Sequence, residues 1–491
     1  MDTEVFVLLD DCHATAQQPS SRLYSAFVRE HRCTDPQTLD AVWRAVAADQ
    51  GNGLHAAVFA DYEWGAKLQQ AGLRHVAVDD RSALRVLMFR TLEHLSAEAV
   101  AQWLAQQDGS DTPTPAGICD MQPGVDQSRF EADIARVHEL IRCGETYQVN
   151  YTFRIHGSQY GTPVGLYRRL RTMQPVSFGA LACLPGARTD DTTWVLSSSP
   201  ELFVRHTAGQ LTARPMKGTA PRSAPPEHLR NSEKDCAENL MIVDLLRNDL
   251  GRVAKKGSVV VDRLFDIEEY PTLWQMVSEI SADVGDRSFG ENRRALFPCG
   301  PSTGAPKIRA MRIAADLENR ERGIYTGALG WLAPNGDLRL NVAIRTLSLG
   351  VEGRGSLGVG SGIVADSEPV AEWQECLLKA RFLRDSDPGL KLIETLRRDG
   401  GVYPMWAGHL SRLKRSAAYF GFPLDEQSLF RLLGEQPSTG TWRVRLTLDK
   451  AGAIDVQAAA FDGAAPAIRR AALAEQAIDS RDVLRRHKTT V

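Results

Sequence analysis

Glu372, Glu375 and Lys379 recur at i, i+3 and i+7 in the run AEWQECLLKA, a spacing that puts all three on one face of a helix. Two carboxylates a turn apart repel unless a cation compensates them. A salt-bridged surface does so, since Glu375 precedes Lys379 by four residues. Mg2+ does so too: it takes hard oxygen ligands, binds one or two carboxylates, and shares its other positions with water and an anionic substrate. Glu238, in the otherwise apolar AENLMIV, is either a third such carboxylate or an exposed helix position.

Three further segments could hold an anion. CGPSTGAPK, residues 299–307, sets Ser, Thr and Gly (Thr303 and Gly304 among them) at a turn before a helix, where free backbone N–H groups favour negative charge. GVGSGIVAD, residues 358–366 with Gly360 and Gly362, reads as a glycine-rich turn that lets a ligand approach the backbone. Arg345 interrupts the apolar strand pattern NVAIRTL and needs an anionic partner if it faces inward. RPMKGTAP, residues 214–221, holds Lys217 between an apolar run and a Gly-Thr turn, either as a solvated loop residue or as an amine kept for chemistry. The nucleotide-binding patterns GxGxxG and GxxxxGK[ST] are both absent.

The elements that must position these residues mix long helices with many short strands. QSRFEADIARVHELIRCGE carries Phe130, Ile134, Val137, Leu140 and Ile141 at helical spacing. QVNYTFRIHG, FGALACLP and TTWVLSSSPELFVRH read as strands. SEKDCAENLMIVDLLRNDLGRVA reads as one helix from an N-cap at Ser232 to a C-cap at Gly251. Strands return from YTGALGWLAP to GSLGVGSGIVAD, and EPVAEWQECLLKARFLRD closes the run as a helix. The class is α+β with largely antiparallel strands. DGSDTPTPAGICDMQPGVD, residues 108–126, reads as a linker, and a new domain starts near Gly389 after LRDSDPG. The expected units are therefore 1–107, the linker, 127–386 and 387–491.

Bulk composition limits the function classes. With 491 residues, 43% hydrophobic and 24% charged, the chain is globular and long enough for two to four domains. A formal net charge of -3 gives no electrostatic reason for a nucleic-acid or anionic-membrane partner. Eight scattered cysteines without a CxxC pair suit a reducing cytoplasm. The acidic start MDTEVFVLLDD is unlike a signal peptide, and eighteen apolar residues never run together.

In order, GETYQVNYT, SSPELF, RPMKGTAPR, DCAENLMIVDLLRNDLGRV, GPSTGAPKIRAM, AIRTL, GSGIVADS and AEWQECLLKA resemble the chorismate-utilising enzymes: anthranilate, aminodeoxychorismate, isochorismate and salicylate synthases. The resemblance covers roughly residues 128–383 and implies an α+β chorismate-binding fold with a magnesium-dependent site on Glu238, Glu372 and Glu375. Residues 1–107 would be the family's accessory region, which in some members binds tryptophan and helps dock a glutaminase.

Within the family, anthranilate synthases usually have alanine in the stretch that reads PMKGT here, whereas the aminodeoxychorismate branch has lysine, so Lys217 resembles that branch's nucleophile. Gln148 stands where the isochorismate and salicylate branches have a water-activating lysine. Glu201 in SPELF matches the acid position. Gln275 in WQMVS replaces a histidine associated with pyruvate elimination.

The resemblance then implies amination of chorismate to 4-amino-4-deoxychorismate, a step of p-aminobenzoate and folate synthesis, with ammonia from a separate glutamine amidotransferase subunit. The substrate would be bound by Gln148, Thr303, Gly304, Tyr325, Arg345, Gly360, Gly362 and Lys379, with Arg345, Tyr325, Lys379 and the glycine turns gripping its two carboxylates. An anthranilate-type synthase, and a non-catalytic chorismate- or tryptophan-binding subunit, are the alternatives. Joint retention of an acid and a nucleophile argues against the latter.

From Gly389, LKLIETLRRDGGVYPMWAGHLSRLKRSAAYFGF resembles the small domain of fold-type IV pyridoxal phosphate (PLP) enzymes, which include aminodeoxychorismate lyase. The resemblance makes Arg412 a contact of the cofactor phosphate and Lys488, in LRRHKTT, the Schiff-base lysine. The chain stops three residues later, at Val491, so PLP is not expected to bind stably and lyase activity is not expected.

Overall fold

The structure, a computed structural model, describes residues 4–73, 82–186, 192–269, 273–285, 296–318, 320–461 and 482–491. Strands β1 (Phe6–Asp10), β2 (Ser21–Cys33), β3 (His55–Ala60) and β4 (Leu84–Leu95) alternate with helices α1 (Leu39–Gly51), α2 (Tyr62–Leu68) and α3 (Ala97–Asp108). Next come β5 (Gly117–Pro123), α4 (Gln127–Arg142), β6 (Gln148–Tyr160), α5 (Pro163–Met173), β7 (Phe178–Cys183), β8 (Thr192–Ser199), β9 (Leu202–Thr207), β10 (Gln210–Arg214) and β11 (Met216–Pro221). The short α6 (Pro226–Arg230) leads to α7 (Glu233–Gly251), β12 (Val260–Glu269), β13 (Leu273–Asp283), β14 (Gly304–Ala305) and α8 (Lys307–Glu318). β15 (Ala328–Leu332), β16 (Leu338–Val342), β17 (Thr346–Gly350), β18 (Arg354–Ile363), α9 (Pro369–Lys379) and α10 (Arg381–Arg384) complete the main body.

Among the described residues these eighteen strands form one antiparallel sheet. From one end its ladder runs β5, β6, β18, β17, β8, β7, β1, β2, β4, β3, β15, β16, β9, β10, β13 and β12. β14 shares the edge of β6 with β5, and β11 continues β10 along β13. Residues 1–107 are therefore no separate accessory unit. β1 joins β7 to β2 and β3 joins β4 to β15, so the N-terminal strands link the two halves of the ladder.

The strands alternate between two buried faces, which is why they read as nearly continuous apolar runs. Phe6 and Leu8 enter one core, under α4, α5, α8 and α9, with Phe130, Ile134, Leu166, Ile313 and Trp373. Ala56, Val58 and Ala60 enter another, with Val46 of α1 and Ile242, Val243 and Leu246 of α7. Val7, Leu9, Ala57, Phe59, Leu87 and Ala182, which alternate with those positions along the strands, form a third core. Capping follows the sequence at α4 and α7: Asp126 accepts from the Arg129 N–H, and Ser232 from that of Asp235. Gly251 proves to be the last residue of α7, with Arg252 as the cap.

Three expectations change. The 108–126 linker is ordered: Gly117–Pro123 is strand β5 on β6, and Asp108 pins the preceding loop through Arg168 at 2.7 Å and Thr114 Oγ1 at 2.6 Å. Its Gly-, Pro- and Asp-rich composition hid these charged tethers. GVGSGIV is no turn either. Its first six residues lie in β18, paired with β6 from Gly358↔Arg154 to Ile363↔Val149, and glycine recurs at alternate positions because neighbouring groups approach that face too closely for side chains. Arg345 lies between β16 and β17 rather than in a strand, with φ 48°, and its carbonyl accepts from the Ser198 N–H at 3.0 Å.

The C-terminal unit has its own three-stranded sheet of β19 (Leu392–Asp399), β20 (Thr441–Leu448) and β21 (Ile454–Ala460), packed by α11 (Trp406–Phe420) and α12 (Glu426–Gly434). Its core, from Leu392 and Leu413 to Leu446, also takes in Cys119 and Tyr160, and the Tyr160 ring meets Phe420 edge-on at 5.2 Å. No helix among the described residues is long and apolar enough to cross a membrane.

Candidate active site

β18 supplies the floor. Gly358, Gly360 and Gly362 share one face by the two-residue period of a strand, while Leu357, Val359 and Ile363 point the other way, into the core under α4 and α9. A Cβ on Gly362 would stand 2.2 Å from Gln148 Nε2 and 3.6 Å from Lys217 Nζ. One on Gly360 would stand 2.5 Å from the Tyr151 carbonyl, and one on Gly358 would strike the Tyr325 ring at 2.1 Å. Gln148, near one end of the ladder, and Lys217, near the other, thus meet over Gly362. Gln148 is 2% exposed, and its Oε1 is buried without a hydrogen-bond partner, an acceptor left for something that enters from above the floor.

Lys217 sits in β11 at an irregularity. Met216 pairs with Val277 and Thr219 with Gln275, so β11 carries one residue more than β13 between those pairs, with Gly218 at φ 86°. Beside it, Glu201 occupies the turn from β8 to β9 and is 8% exposed. Burial pushes its carboxyl up to about 7, against the pull of Lys217, the Met216 N–H and Arg345. A carboxyl of that kind exchanges its proton at neutral pH, and both cations that act on it were singled out by the sequence.

Of the three carboxylates, Glu238 lies on α7 and Glu372 and Glu375 on α9. Burial raises Glu238 while Lys217 and Lys234 draw it down, and Glu375 repels it. Burial would raise Glu375 too, but Lys379, by charge and hydrogen bond, with Lys217 and Lys234, holds it below its usual range. Glu238 and Glu375 therefore feel each other and Lys217. Yet no group of three His, Cys, Asp or Glu side chains among the described residues lies close enough to hold a metal ion. Glu375 is paired with Lys379 at 2.8 Å, and Glu238 is 4.0 Å from Lys234. The expected three-carboxylate cage is not assembled. The donors nonetheless suit Mg2+, which needs only one or two carboxylates.

Other expected contacts are turned to the protein. Lys379 Nζ donates to the Gly360 carbonyl at 2.9 Å. Thr303, fully buried, donates to the Gly300 carbonyl at 2.8 Å, and its own carbonyl accepts from the Asn150 N–H at 3.0 Å. Gly304 has φ 127° and passes so near β6 that a Cβ would lie 2.2 Å from the Gln148 carbonyl. The Tyr325 ring packs on Gly358, about 13 Å along the strand from Gly362, with the Arg154 guanidinium 5.3 Å from its centroid.

A family model for chorismate binding enzymes matches residues 11–385, spanning every element that builds this floor and its walls. The chain belongs to the chorismate-binding enzyme family. It is 38% identical over 344 residues to an aminodeoxychorismate synthase of Streptomyces griseus, covering 66% of this chain and 46% of that one. Component 1 of the Escherichia coli aminodeoxychorismate synthase is 37% identical over 58% of this chain and 63% of its own. Component 1 of the Streptomyces coelicolor anthranilate synthase is 35% identical over 62% and 60%. The chain thus spans less than two thirds of the length of these relatives. Its fold matches anthranilate synthase component I of Streptococcus pneumoniae (TM-score 0.60, 24% identity, 77% of this chain and 90% of that one). It also matches the menaquinone-specific isochorismate synthase of Escherichia coli (TM-score 0.58, 16% identity, 78% and 89%).

The chorismate-binding family match stops before the C-terminal unit. There Arg412 Nε donates to Glu394 Oε1 at 2.7 Å and Nη2 to Oε2, His409 is 2.8 Å from Glu394, and Lys488 Nζ is 3.9 Å away. Arg412 and Lys488 do converge, but on a buried carboxylate. The guanidinium so engaged does not fit a cofactor phosphate.

Several residues that hold this site together carried no signal of their own. Lys307 Nζ, 9% exposed, bonds Asp249 at 2.5 Å and the Leu296 and Pro298 carbonyls, tying α7 to the 299–307 segment. Arg322, 2% exposed, reaches Glu318 and the carbonyls of Ser302 and Asn150. Asn239 and Ser278, both fully buried, bond each other at 2.6 Å behind Lys217. Asn239 adjoins Glu238 in the apolar run, and a buried amide there was the one cue available.

Proposed function

We propose that the chain catalyses amination of chorismate, as component I of an aminodeoxychorismate synthase. The observation that carries this reading is the meeting of Lys217 and Gln148 over Gly362 beside a carboxyl, Glu201, that titrates near neutrality. Relatives named aminodeoxychorismate synthase support it. Gln148 has no basic nitrogen, so it cannot activate water as a lysine would.

In this reading protonated Glu201 donates its proton to the C4 hydroxyl as it leaves, and Lys217 Nζ, as the free amine, forms a bond to C2 while the ring double bonds shift. Water departs. Ammonia then attacks C4, the double bonds return, and the C2–Nζ bond breaks, which regenerates Lys217 and leaves 4-amino-4-deoxychorismate. The overall change is chorismate plus ammonia to aminodeoxychorismate plus water. Gln148 would donate to or accept from the substrate through its free amide, and Arg345 would face a carboxylate. Magnesium on Glu238, Glu375 and Glu372 would offset the charge of the substrate's ring carboxylate.

Ammonia from a glutamine amidotransferase subunit is part of the proposal, supported by the component 1 names of relatives. A reducing cytoplasm is supported by eight free cysteines. A lyase-like origin for residues 387–491 rests on sequence resemblance, and no cofactor step is assigned to it.

The test is Lys217→Arg and Lys217→Ala, assayed with chorismate, ammonia and Mg2+, with the product identified by mass. Arginine keeps the charge but stays protonated. Both variants should lose on the order of 10²-fold or more in turnover, and wild type should show a lysine adduct by mass spectrometry. Near-normal turnover by Lys217→Arg with no adduct in wild type would defeat the proposal.

A further inference from the structure

The extra residue in β11 has a cost that the structure meets in a specific way. A bulge takes carbonyls out of the strand ladder, and a buried carbonyl without a donor is unfavourable. At this bulge the Gly218 carbonyl accepts from Gln275 Nε2 at 2.7 Å, and the Lys217 carbonyl accepts from Asn239 Nδ2 at 3.4 Å. Neither amide is free to swing. Gln275 Oε1 accepts from Thr219 Oγ1 at 3.1 Å, and Asn239 Oδ1 accepts from Ser278 Oγ at 2.6 Å. Ser278 is itself fixed at both ends: its hydroxyl accepts from the Phe265 N–H at 3.2 Å, and its N–H donates to the Pro215 carbonyl at 3.2 Å. Gln275 is 8% exposed, and Asn239 and Ser278 are fully buried.

From this network we propose that Gln275 is a positioning residue for Lys217. It holds the Gly218 carbonyl so that the bulge, and with it the lysine side chain, keeps one orientation over Gly362, while Asn239 and Ser278 hold the neighbouring peptide. The reasoning rests on the role given to Lys217 above. Gln275 reaches the backbone through its side chain from a paired position, opposite Thr219, where an ordinary ladder residue would contribute only main-chain bonds. An apolar side chain would leave the Gly218 carbonyl unpaired. A carboxylate would set an acceptor against an acceptor.

The experiment uses the full chain with Gln275→Met, close in volume and unable to make either bond, and Gln275→Glu, which can still accept from Thr219 but cannot donate to Gly218. Two readouts are taken: steady-state amination with ammonia, and the rate at which Lys217 is acetylated by trace acetic anhydride, followed by peptide mass spectrometry with Lys391 as internal standard. Both variants should lose at least 10-fold in kcat with KM for chorismate within two-fold of wild type, and their Lys217 acetylation rate should change at least three-fold relative to Lys391. Thr219→Val, at an exposed position, removes only the restraint on Gln275 and should lower kcat by two- to five-fold, which keeps the test alive if the Gln275 variants do not fold. A kcat and a Lys217 acetylation rate within two-fold of wild type in Gln275→Met, or in Thr219→Val should Gln275→Met not fold, would overturn the proposal. If wild type itself makes no aminated product, the functional reading fails while the acetylation arm still decides whether Gln275 holds Lys217.

Discussion

Replacing Glu201 by glutamine should remove activity and add stability, and the second effect grows with pH. The carboxyl is buried, and its folded pKa is raised from 4.5 to about 7. Sign follows from proton binding. Between those two values the folded state holds the proton more tightly than the unfolded chain, so stability is fully present below the unfolded pKa and is lost as pH rises to the folded one. Two and a half pKa units at 1.36 kcal/mol each put the full penalty at about 3 kcal/mol, of which about 2 kcal/mol accrues between pH 5.5 and 8. Glutamine is neutral throughout, so Glu201→Gln should gain about 2 kcal/mol on wild type over that interval. Urea unfolding followed by tryptophan fluorescence at both pH values measures it. Turnover, having lost its acid, should fall by about 10²-fold or more at either pH. A stability difference that is the same at pH 5.5 and pH 8 would refute the claim that burial dominates the carboxyl's environment.

Gly362→Ala should cut kcat/KM at least about 10-fold with little change in melting temperature, because the new methyl would lie 2.2 Å from Gln148 Nε2, a flexible end that can move only by leaving the site. Glu375→Gln, or chelation of Mg2+, should abolish turnover with circular dichroism unchanged. A variant that keeps most of its activity would mean that Glu375 serves only its pair with Lys379. Asp249→Ala strands the Lys307 ammonium, 9% exposed, and should cost about 3–5 kcal/mol in urea unfolding, whereas a loss under 1 kcal/mol would show that the Leu296 and Pro298 carbonyls suffice.

Elements with strong signals are legible in the sequence: α4 falls on its apolar spacing, β6 and β7 begin with QVNYTFRIHG and FGALACLP, and α7 starts after the cap that residue type suggests at Ser232. Lys217, Glu201 and Gln148 were named from motifs and are brought together. Glycine was the misleading residue. At 358–362 it was read as a turn because freedom of φ is its usual use, whereas here the absence of a side chain is what counts, and the strand pairing that shows this lies about two hundred residues away in the sequence. Composition misled again at Gly117–Pro123, where pairing to β6 outweighs local preference. Buried links such as Lys307 to Asp249 join segments 58 residues apart, and no local pattern encodes them.

The path of the ladder also bears on how the molecule comes into being. Every motif that marks the site lies beyond residue 143, yet the strands that join the Gln148 end of the sheet to the Lys217 end are β1 to β4, made first. Those early strands act as a keystone that waits for its arch. β1 finds β7 and β3 finds β15 only after some 170 and 270 further residues exist, and closing loops of that size makes assembly slow, with edges of paired strand exposed meanwhile. A shortened chain that kept every catalytic motif but lacked those strands would hold two half-sheets and no shared floor between them.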